Sequence, residues 1–194
     1  MTMIDLGPAA AGVAALLDGV GDLDVPTPST DRTVGELLDH LDGLSSAFVS
    51  AAAKDLAAGS QAPAPDAAAL DPQWRTNLPR HLDELVEAWR DPEAWTGMTK
   101  AGGIDLPGEV AGVVALDELV LHGWDLARAT GQDYRVDDES VAACHGFVSQ
   151  FSAPGQEADR EGLFGPVVAV PEQAPLFDRV LGMSGRDPSW APPA

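Results

Sequence analysis

One long apolar helix constrains the fold of this 194-residue chain more than any other sequence feature. The stretch 114–131, VALDELVLHGWDLARATG, is built mostly from Val, Leu and Ala at helical intervals, and Gly131 closes it. Pro107 stands near the first turn of the same helix, where a proline is well tolerated. A helix of this kind must bury its apolar face, so the sequence predicts a helical domain around it.

The other predicted helices are separated by stretches rich in Pro, Gly and polar residues. Thr33 followed three residues later by Glu36 forms a capping-box pattern at the start of the second helix. No convincing alternating strand pattern is present. Apolar periodicity places these helices at about 4–20, 33–58, 78–90 and 138–151, with a short last helix near 175–183.

Long helices joined by connections that suit antiparallel neighbours predict an all-α fold, an up-down four-helix bundle. We expect it to carry one short extra helix and a Pro-rich C-terminal tail. A chain of 194 residues is long enough for one domain with a substantial core. We therefore expect residues 1–194 to form a single domain, with the tail of about 152–194 packed on or near the bundle.

The net charge argues against some classes of partner, and the cysteine count argues against some kinds of site. The formal net charge of −20 repels phosphate backbones and anionic lipid surfaces, which argues against nucleic acid and membranes as partners. The N-terminal stretch has no basic region, and no run approaches the ~18 apolar residues of a spanning helix. Cys144 is the single cysteine, which excludes an intramolecular disulfide and a Cys-rich metal site. We expect a cytoplasmic protein.

Two polar residues do not fit the apolar helix. Glu118 and His122 are four residues apart, so they lie on one helical face, together with apolar residues that point to the core. A buried charge is costly unless it is paired or bound to a cation. Imidazole nitrogen and carboxylate oxygen are common ligands of zinc and related ions, so the pair indicates part of a divalent-metal site.

The second helix carries a similar feature. His40 lies among leucines, and Glu36 precedes it by four residues. Taken alone, His40 is more typical of a hydrogen-bonded core histidine, and Glu36 is explained by the capping box. Gly43 follows His40 by three residues and leaves room for a ligand beside it, although glycine costs a helix about 1 kcal/mol.

The remaining candidate residues have open alternatives. Asp125 is placed to orient the His122 imidazole, or else it faces solvent. Cys144 and His145 are adjacent, and neighbouring helical residues point in different directions, so a packed cysteine is favoured over a nucleophile. His81 stands at a predicted helix start and is expected to be exposed.

The segments 33-TVGELLDHLDG-43, 118-ELVLHGWDLARATG-131 and 185-GRDPSW-190 together resemble the DinB and mycothiol-dependent maleylpyruvate isomerase N-terminal-like superfamily. The resemblance covers nearly the whole chain, and it is strongest to the actinobacterial branch of metal-binding proteins. It implies a four-helix bundle that holds one divalent metal ion in its core. The ligands that it implies are His40, Glu118 and His122.

Two departures limit what the resemblance implies. Relatives often have Cys and Trp before the second helix, whereas this chain has Ser29 and Arg32 in 28-PSTDRTV-34. The isomerase is expected to have a further C-terminal domain that contributes to substrate binding, and the tail here is expected to be too short to supply it. Metal binding therefore carries over better than the maleylpyruvate reaction.

The expected function follows from three protein ligands, which leave one coordination position open. We expect a metal-dependent thiol transferase or isomerase, with Zn²⁺ as the ion and Ni²⁺ or Fe²⁺ as alternatives. The resemblance implies mycothiol as the thiol, beside a small electrophilic substrate that Arg32 or Arg128 would steer.

Several alternatives stay open. Instead of a thiol transferase or isomerase, the chain could be a small metal-dependent hydrolase, or a non-catalytic metal-binding or sensing protein. A dinuclear site that uses both Glu-x-x-x-His pairs lacks the usual spacing. Homodimer formation is a further open alternative.

Overall fold

The computed structural model describes residues 3–29, 32–58, 64–158, 160 and 162–193. In this part of the chain six α-helices follow one another, with short 3₁₀ turns after α1, α3 and α5. A two-stranded antiparallel hairpin precedes α4. The elements are α1 (Gly7–Leu16), α2 (Val34–Ala52), α3 (Trp74–Trp89), β1 (Met98–Ala101), β2 (Ile104–Pro107), α4 (Gly108–Thr130), α5 (Asp138–Val148) and α6 (Leu176–Met183).

The predominantly helical class is confirmed, and the long apolar helix has nearly its predicted bounds. α4 follows Pro107 directly and ends at Gly131, whose φ of 68° is the left-handed conformation that glycine adopts at little cost. Most of α4 from Ala115 to Ala127 is buried. The up-down order of a four-helix bundle and the single-domain organisation stay predictions.

The expectation of a chain without strands is wrong at residues 98–107. β1 and β2 pair in the register Met98 with Pro107 through Ala101 with Ile104. Gly102 and Gly103 connect them with φ values of 57° and 81°, as a tight two-residue hairpin turn requires. Strands of four residues are too short to show a clear alternating pattern, so periodicity did not reveal them.

Several helix bounds also differ from the prediction: α1 covers Gly7–Leu16 instead of 4–20, α5 ends at Val148 instead of 151, and the start of α3 and the end of α2 are shifted as well. α3 begins at Trp74, four residues before the predicted start, because the buried Trp74 indole anchors its first turn in the core. α2 ends at Ala52, six residues before the predicted end at 58, and Lys54 then takes a φ of 59°. The Lys54 ammonium donates to the Ala94 carbonyl at 2.6 Å, which ties this turn to the segment before the hairpin.

α2 and α4 pack against each other, and this contact positions the candidate site. α1 and α3 complete the surrounding core, while α5 packs between α4 and α6. The C-terminal segment returns to α4, where the Arg128 side chain donates to the Trp190 carbonyl at 3.0 Å. Across the described ranges, no helix combines the length and apolarity needed to span a membrane.

Candidate metal centre

The N-terminus of α2 fixes the position of His40. The predicted capping box is confirmed: the Glu36 amide donates to the Thr33 hydroxyl at 3.3 Å, and the Thr33 amide donates to the Glu36 carboxylate at 2.7 Å. Glu36 is therefore committed to the helix start rather than to a ligand. His40 follows one turn later.

Three predicted residues meet between α2 and α4. Nε2 of His40 lies 3.2 Å from Oε2 of Glu118, and Nε2 of His122 lies 3.0 Å from the same oxygen. The two imidazole rings stand edge to face, with centroids 4.8 Å apart. One nitrogen or oxygen from each residue lies within 4.8 Å of the other two, a spacing that suits three ligands of a single ion.

The cluster is open to solvent on one side. The side chains of His40 and Glu118 are 23% and 32% exposed, whereas that of His122 is 8% exposed. Gly43 is exposed as well, and a Cβ added there would meet no atom within 4 Å. A small molecule can therefore approach from the His40 side.

The charges within the cluster are strongly coupled. Burial alone would raise the pKa of Glu118, but hydrogen bonds from His122 and His40 hold it well below its ordinary value of 4.5. Burial would lower the pKa of His122, but hydrogen bonds to Asp125 and Glu118 raise it above 6.5. Burial lowers the pKa of His40, against its hydrogen bond to Glu118. The cluster therefore holds an ionised carboxylate between two imidazoles.

Behind His122 lies a second layer of polar side chains, in which Asp125 is fully buried. Nδ1 of His122 is 2.9 Å from Oδ2 of Asp125, so Asp125 contacts the imidazole as the sequence predicts and does not face solvent. Arg186 donates to both oxygens of Asp125, from Nε at 3.1 Å and from Nη2 at 2.8 Å. Sequence reasoning did not assign Arg186; its only signal was its place in the 185-GRDPSW-190 motif.

The other predicted residues lie outside this cluster. His81 was expected to be exposed and is not: its side chain is 21% exposed, and its Nδ1 pairs with Asp42 at 2.5 Å. Cys144 is fully buried, and burial together with Asp117 raises the pKa of its thiol, as a packed cysteine requires. Arg128 is committed to the Trp190 carbonyl.

The three ligand atoms suit a divalent transition-metal ion. Two imidazole nitrogens and one carboxylate oxygen are common ligands of Zn²⁺, Fe²⁺ and Ni²⁺. The described residues contain no other cluster of three His, Cys, Asp or Glu side chains with metal-ligand spacing. A second metal position, as in a dinuclear site, therefore has no support in this part of the chain.

Comparison with solved structures shows the fold. The crystal structure of the mycothiol-dependent maleylpyruvate isomerase superposes with a TM-score of 0.65 at 17% identity, over 95% of this chain and 88% of that chain. The match extends over most of both chains, and the expectation that this chain lacks a C-terminal domain of the isomerase stays a prediction.

Sequence relatives extend over the same length. Two proteins of Mycobacterium tuberculosis, from strains CDC 1551 / Oshkosh and ATCC 25618 / H37Rv, are each 28% identical over 180 residues. These matches cover 89% of this chain and 91% of each relative, and both relatives are named as uncharacterized proteins. The family described as the mycothiol maleylpyruvate isomerase N-terminal domain matches residues 6–127, which include all three cluster residues. The chain belongs to that family.

Proposed function

We propose that this chain binds one divalent metal ion, Zn²⁺ in the first place, through His40, Glu118 and His122. We further propose that it catalyses a thiol-dependent transferase or isomerase reaction at that ion. The observation that carries the proposal is the convergence of Nε2, Oε2 and Nε2 from α2 and α4 within 4.8 Å. The apolar surroundings of α4 make this placement costly unless the polar atoms are used.

The contacts of His122 indicate how the protein would orient this ligand for the proposed metal. Nδ1 of His122 donates to Asp125, so once Nε2 gives up the proton that it shares with Glu118, its lone pair would face the cluster and could bind a metal. Asp125 is itself held from behind by Arg186, so the imidazole is fixed in orientation. A metal bound by three protein ligands supplies an open position and lowers the pKa of a thiol or water held there.

The thiol is assigned from the family. A family defined by the mycothiol maleylpyruvate isomerase supports mycothiol as the co-substrate, and the open His40 side admits a small molecule. The partner substrate is then a small electrophile that a thiolate can attack. The exposed fractions of His40 and Glu118 support an entrance on this side rather than through the buried His122.

Metal content tests the ligand set. Protein purified without added metal should contain one equivalent of zinc, and His40→Ala, Glu118→Ala and His122→Ala should each abolish tight binding. His81→Ala and His145→Ala are matched controls, because neither residue belongs to the cluster, and both should keep the metal. Stoichiometric metal in the double variant His40→Ala with His122→Ala would show that the site lies elsewhere.

A cobalt-substituted sample tests the thiol. Mycothiol, or a simpler thiol, should produce a sulfur-to-metal charge-transfer band that strengthens as pH rises, because ligation releases a proton. A spectrum that changes with pH but ignores thiols would favour a small hydrolase. Loss of both responses would indicate a non-catalytic metal-binding protein.

A further inference from the structure

We propose that Arg128 is a positioning residue of the metal centre, and that it acts through the C-terminal segment of residues 184–190. Arg128 holds this segment on α4, and the segment presents Arg186 to Asp125. Asp125 in turn orients His122. The inference rests on the proposed metal centre and adds a coupling to it: docking of the segment strengthens metal binding, and a bound metal strengthens docking.

The C-terminal segment is bound to α4 by two of its residues, Arg186 and Trp190. At the first contact, Nε and Nη2 of Arg186 donate to the two oxygens of Asp125 at 3.1 and 2.8 Å. At the second contact, Nε of Arg128 donates to the Trp190 carbonyl at 3.0 Å, and Nη2 of Arg128 donates to the same oxygen. Asp125 and Arg128 are close in sequence on α4, so neighbouring side chains of one helix hold both contacts.

The turn between the two contacts is closed by its own hydrogen bonds. The Trp190 amide donates to the Asp187 carbonyl at 2.9 Å. The Asp187 carboxylate accepts from the Ser189 amide at 2.8 Å and from the Ser189 hydroxyl at 2.7 Å. Pro188 fixes a further backbone angle. A displacement of Trp190 is therefore transmitted to Arg186 rather than absorbed within the turn.

The other end of the segment is fixed beside α6. The Arg186 amide donates to the Leu181 carbonyl at 2.8 Å, and Gly185 has a φ of 89°. A Cβ added to Gly185 would lie 2.8 Å from the Gly165 backbone, so these two stretches of chain are in direct contact. With this end fixed, the contact at Trp190 decides whether the far end of the segment stays on α4.

Burial makes the position of Arg186 important for His122. The Asp125 side chain is fully buried and that of Arg186 is 10% exposed, so water cannot readily replace either partner. Nδ1 of His122 lies 2.9 Å from Oδ2 of Asp125, the oxygen that also accepts from Nη2 of Arg186. Because one oxygen serves both side chains, a shift of the guanidinium moves the acceptor that orients the imidazole.

Arg128 itself lies apart from the proposed ligands. Its side chain is half-buried, and its guanidinium carbon lies 6.0 Å from the centre of the Trp124 ring. Among the residues that the structure describes, Arg128 forms no hydrogen bond or ion pair with His40, Glu118 or His122. An effect of Arg128 on metal affinity that disappears once Arg186 is removed therefore has to pass through the C-terminal segment.

Zinc affinity tests the inference. In competition with a chromophoric chelator, we expect Arg128→Met to bind zinc about tenfold more weakly than the wild type, the lower end of the range for residues behind a metal ligand. Arg128→Lys keeps a donor for the Trp190 carbonyl and should recover most of the affinity. Arg135→Met is the matched control, because Arg135 is exposed and the same charge is lost; its affinity should equal that of the wild type.

Two measurements separate positioning from a general loss of stability. In the Arg186→Met background, Arg128→Met should leave zinc affinity unchanged, because the contact through which it acts is already gone. In metal-free protein, NMR of the isotope-labelled full chain follows the imidazole N–H of His122 that donates to Asp125. This proton should exchange with water faster in Arg128→Met than in the wild type. Additive effects of the two substitutions, or an unchanged His122 signal, would overturn the inference.

Hydrogen exchange tests the coupling in the opposite direction. If the loss of the Arg128 contact weakens zinc binding tenfold, zinc favours docking of the segment by about the same factor. The amides of Arg186 and Trp190 should then exchange about tenfold more slowly in zinc-loaded than in metal-free wild type. The Gly108 amide, which donates to the Gly97 carbonyl at 2.9 Å beside the hairpin, is the control and should not change.

The same samples distinguish failure of the coupling from failure of the metal centre. If the wild type takes up no zinc, the proposed metal centre fails, while the His122 signal of metal-free protein still decides whether Arg128 positions the imidazole. If the wild type takes up zinc, equal zinc affinity in wild type and Arg128→Met would overturn the inference and leave the metal centre standing. Unchanged circular dichroism of Arg128→Met confirms that the variant is folded.

Discussion

The buried pair of Arg186 and Asp125 allows a quantitative prediction. Asp125 is fully buried and the Arg186 side chain is 10% exposed, with two hydrogen bonds of 3.1 and 2.8 Å between them. Removing one partner of a buried pair typically costs roughly 3–5 kcal/mol, because the other charge is left uncompensated. In Arg186→Met, Asp125 keeps its hydrogen bond to His122, so we expect a loss near the lower end, about 3 kcal/mol.

A double-mutant cycle isolates the pair. Urea unfolding of metal-free protein, followed by circular dichroism, gives the free energy of unfolding for Arg186→Met, Asp125→Asn and the double variant. The Asn side chain still accepts from His122 but carries no charge, so the double variant buries no unpaired ion. We expect it to lose less than the sum of the singles, with a coupling of about 2 kcal/mol. A coupling below about 0.5 kcal/mol, the value of an exposed pair, would refute the reasoning.

Three further predictions concern residues outside the cluster. Asp137 caps α5, and although burial opposes this, hydrogen bonds from Ser140 hold its pKa below the ordinary 3.8. The contribution of ionised Asp137 to the free energy of unfolding is therefore complete above pH 3.8, and it is lost as pH falls through the lowered pKa of the folded state. Asp137→Asn lacks this contribution at every pH, so its thermal midpoint should fall less in acid than that of the wild type. Gly123→Ala should destabilise the fold by about 1–3 kcal/mol in urea unfolding, because the added Cβ would lie 2.3 Å from the Tyr134 hydroxyl. Cys144→Ser should keep most of the proposed thiol-transfer activity, because the proposed nucleophile is an external thiol.

Each of these predictions has a clear contrary result. An equal acid response in wild type and Asp137→Asn would show that the cap does not depend on ionisation. Tyr134→Phe in the Gly123→Ala background removes the hydroxyl and should restore part of the stability; no recovery would place the strain at the ring carbon Cζ, 2.6 Å from the added Cβ, rather than at the hydroxyl. A covalent adduct on Cys144 during turnover, with activity lost in the serine variant, would assign the nucleophile to the chain.

The sequence predicted α4 and the candidate ligands because their signals are local. Helical periodicity, Pro107 before the first turn and Gly131 after the last define α4 without any knowledge of the rest of the fold. The four-residue spacing of Glu118 and His122 places both on one face for the same reason. That His40 joins them was implied by the family resemblance, since no local pattern relates α2 to α4.

The features that the sequence did not predict depend on contacts between distant segments. Arg186 and Asp125 are 61 residues apart, and their pairing follows from the return of the C-terminal segment to α4. His81 pairs with Asp42 across two helices, so its place near a helix start gave no information about its burial. The hairpin at 98–107 is the exception, because it is local: its Gly102–Gly103 dipeptide is a hairpin-turn signal that was available in the sequence, although the strands are too short to alternate clearly.

Hydrogen bonds and ion pairs with neighbouring polar side chains explain how the apolar helix α4 accommodates the carboxylates of Glu118 and Asp125. Glu118 lies between two imidazoles, and Asp125 lies between His122 and Arg186, so each of the two carboxylates has two donors. With both imidazoles neutral, and with Asp117 protonated because burial raises its pKa to about 7, one arginine cation against two carboxylates leaves a single negative charge. A divalent ion would change that to a single positive charge, which an anionic fourth ligand neutralises. The arrangement would therefore favour a thiolate or hydroxide over a neutral ligand at the proposed metal, and the exposed side of the cluster, at His40, is where such an anion could enter.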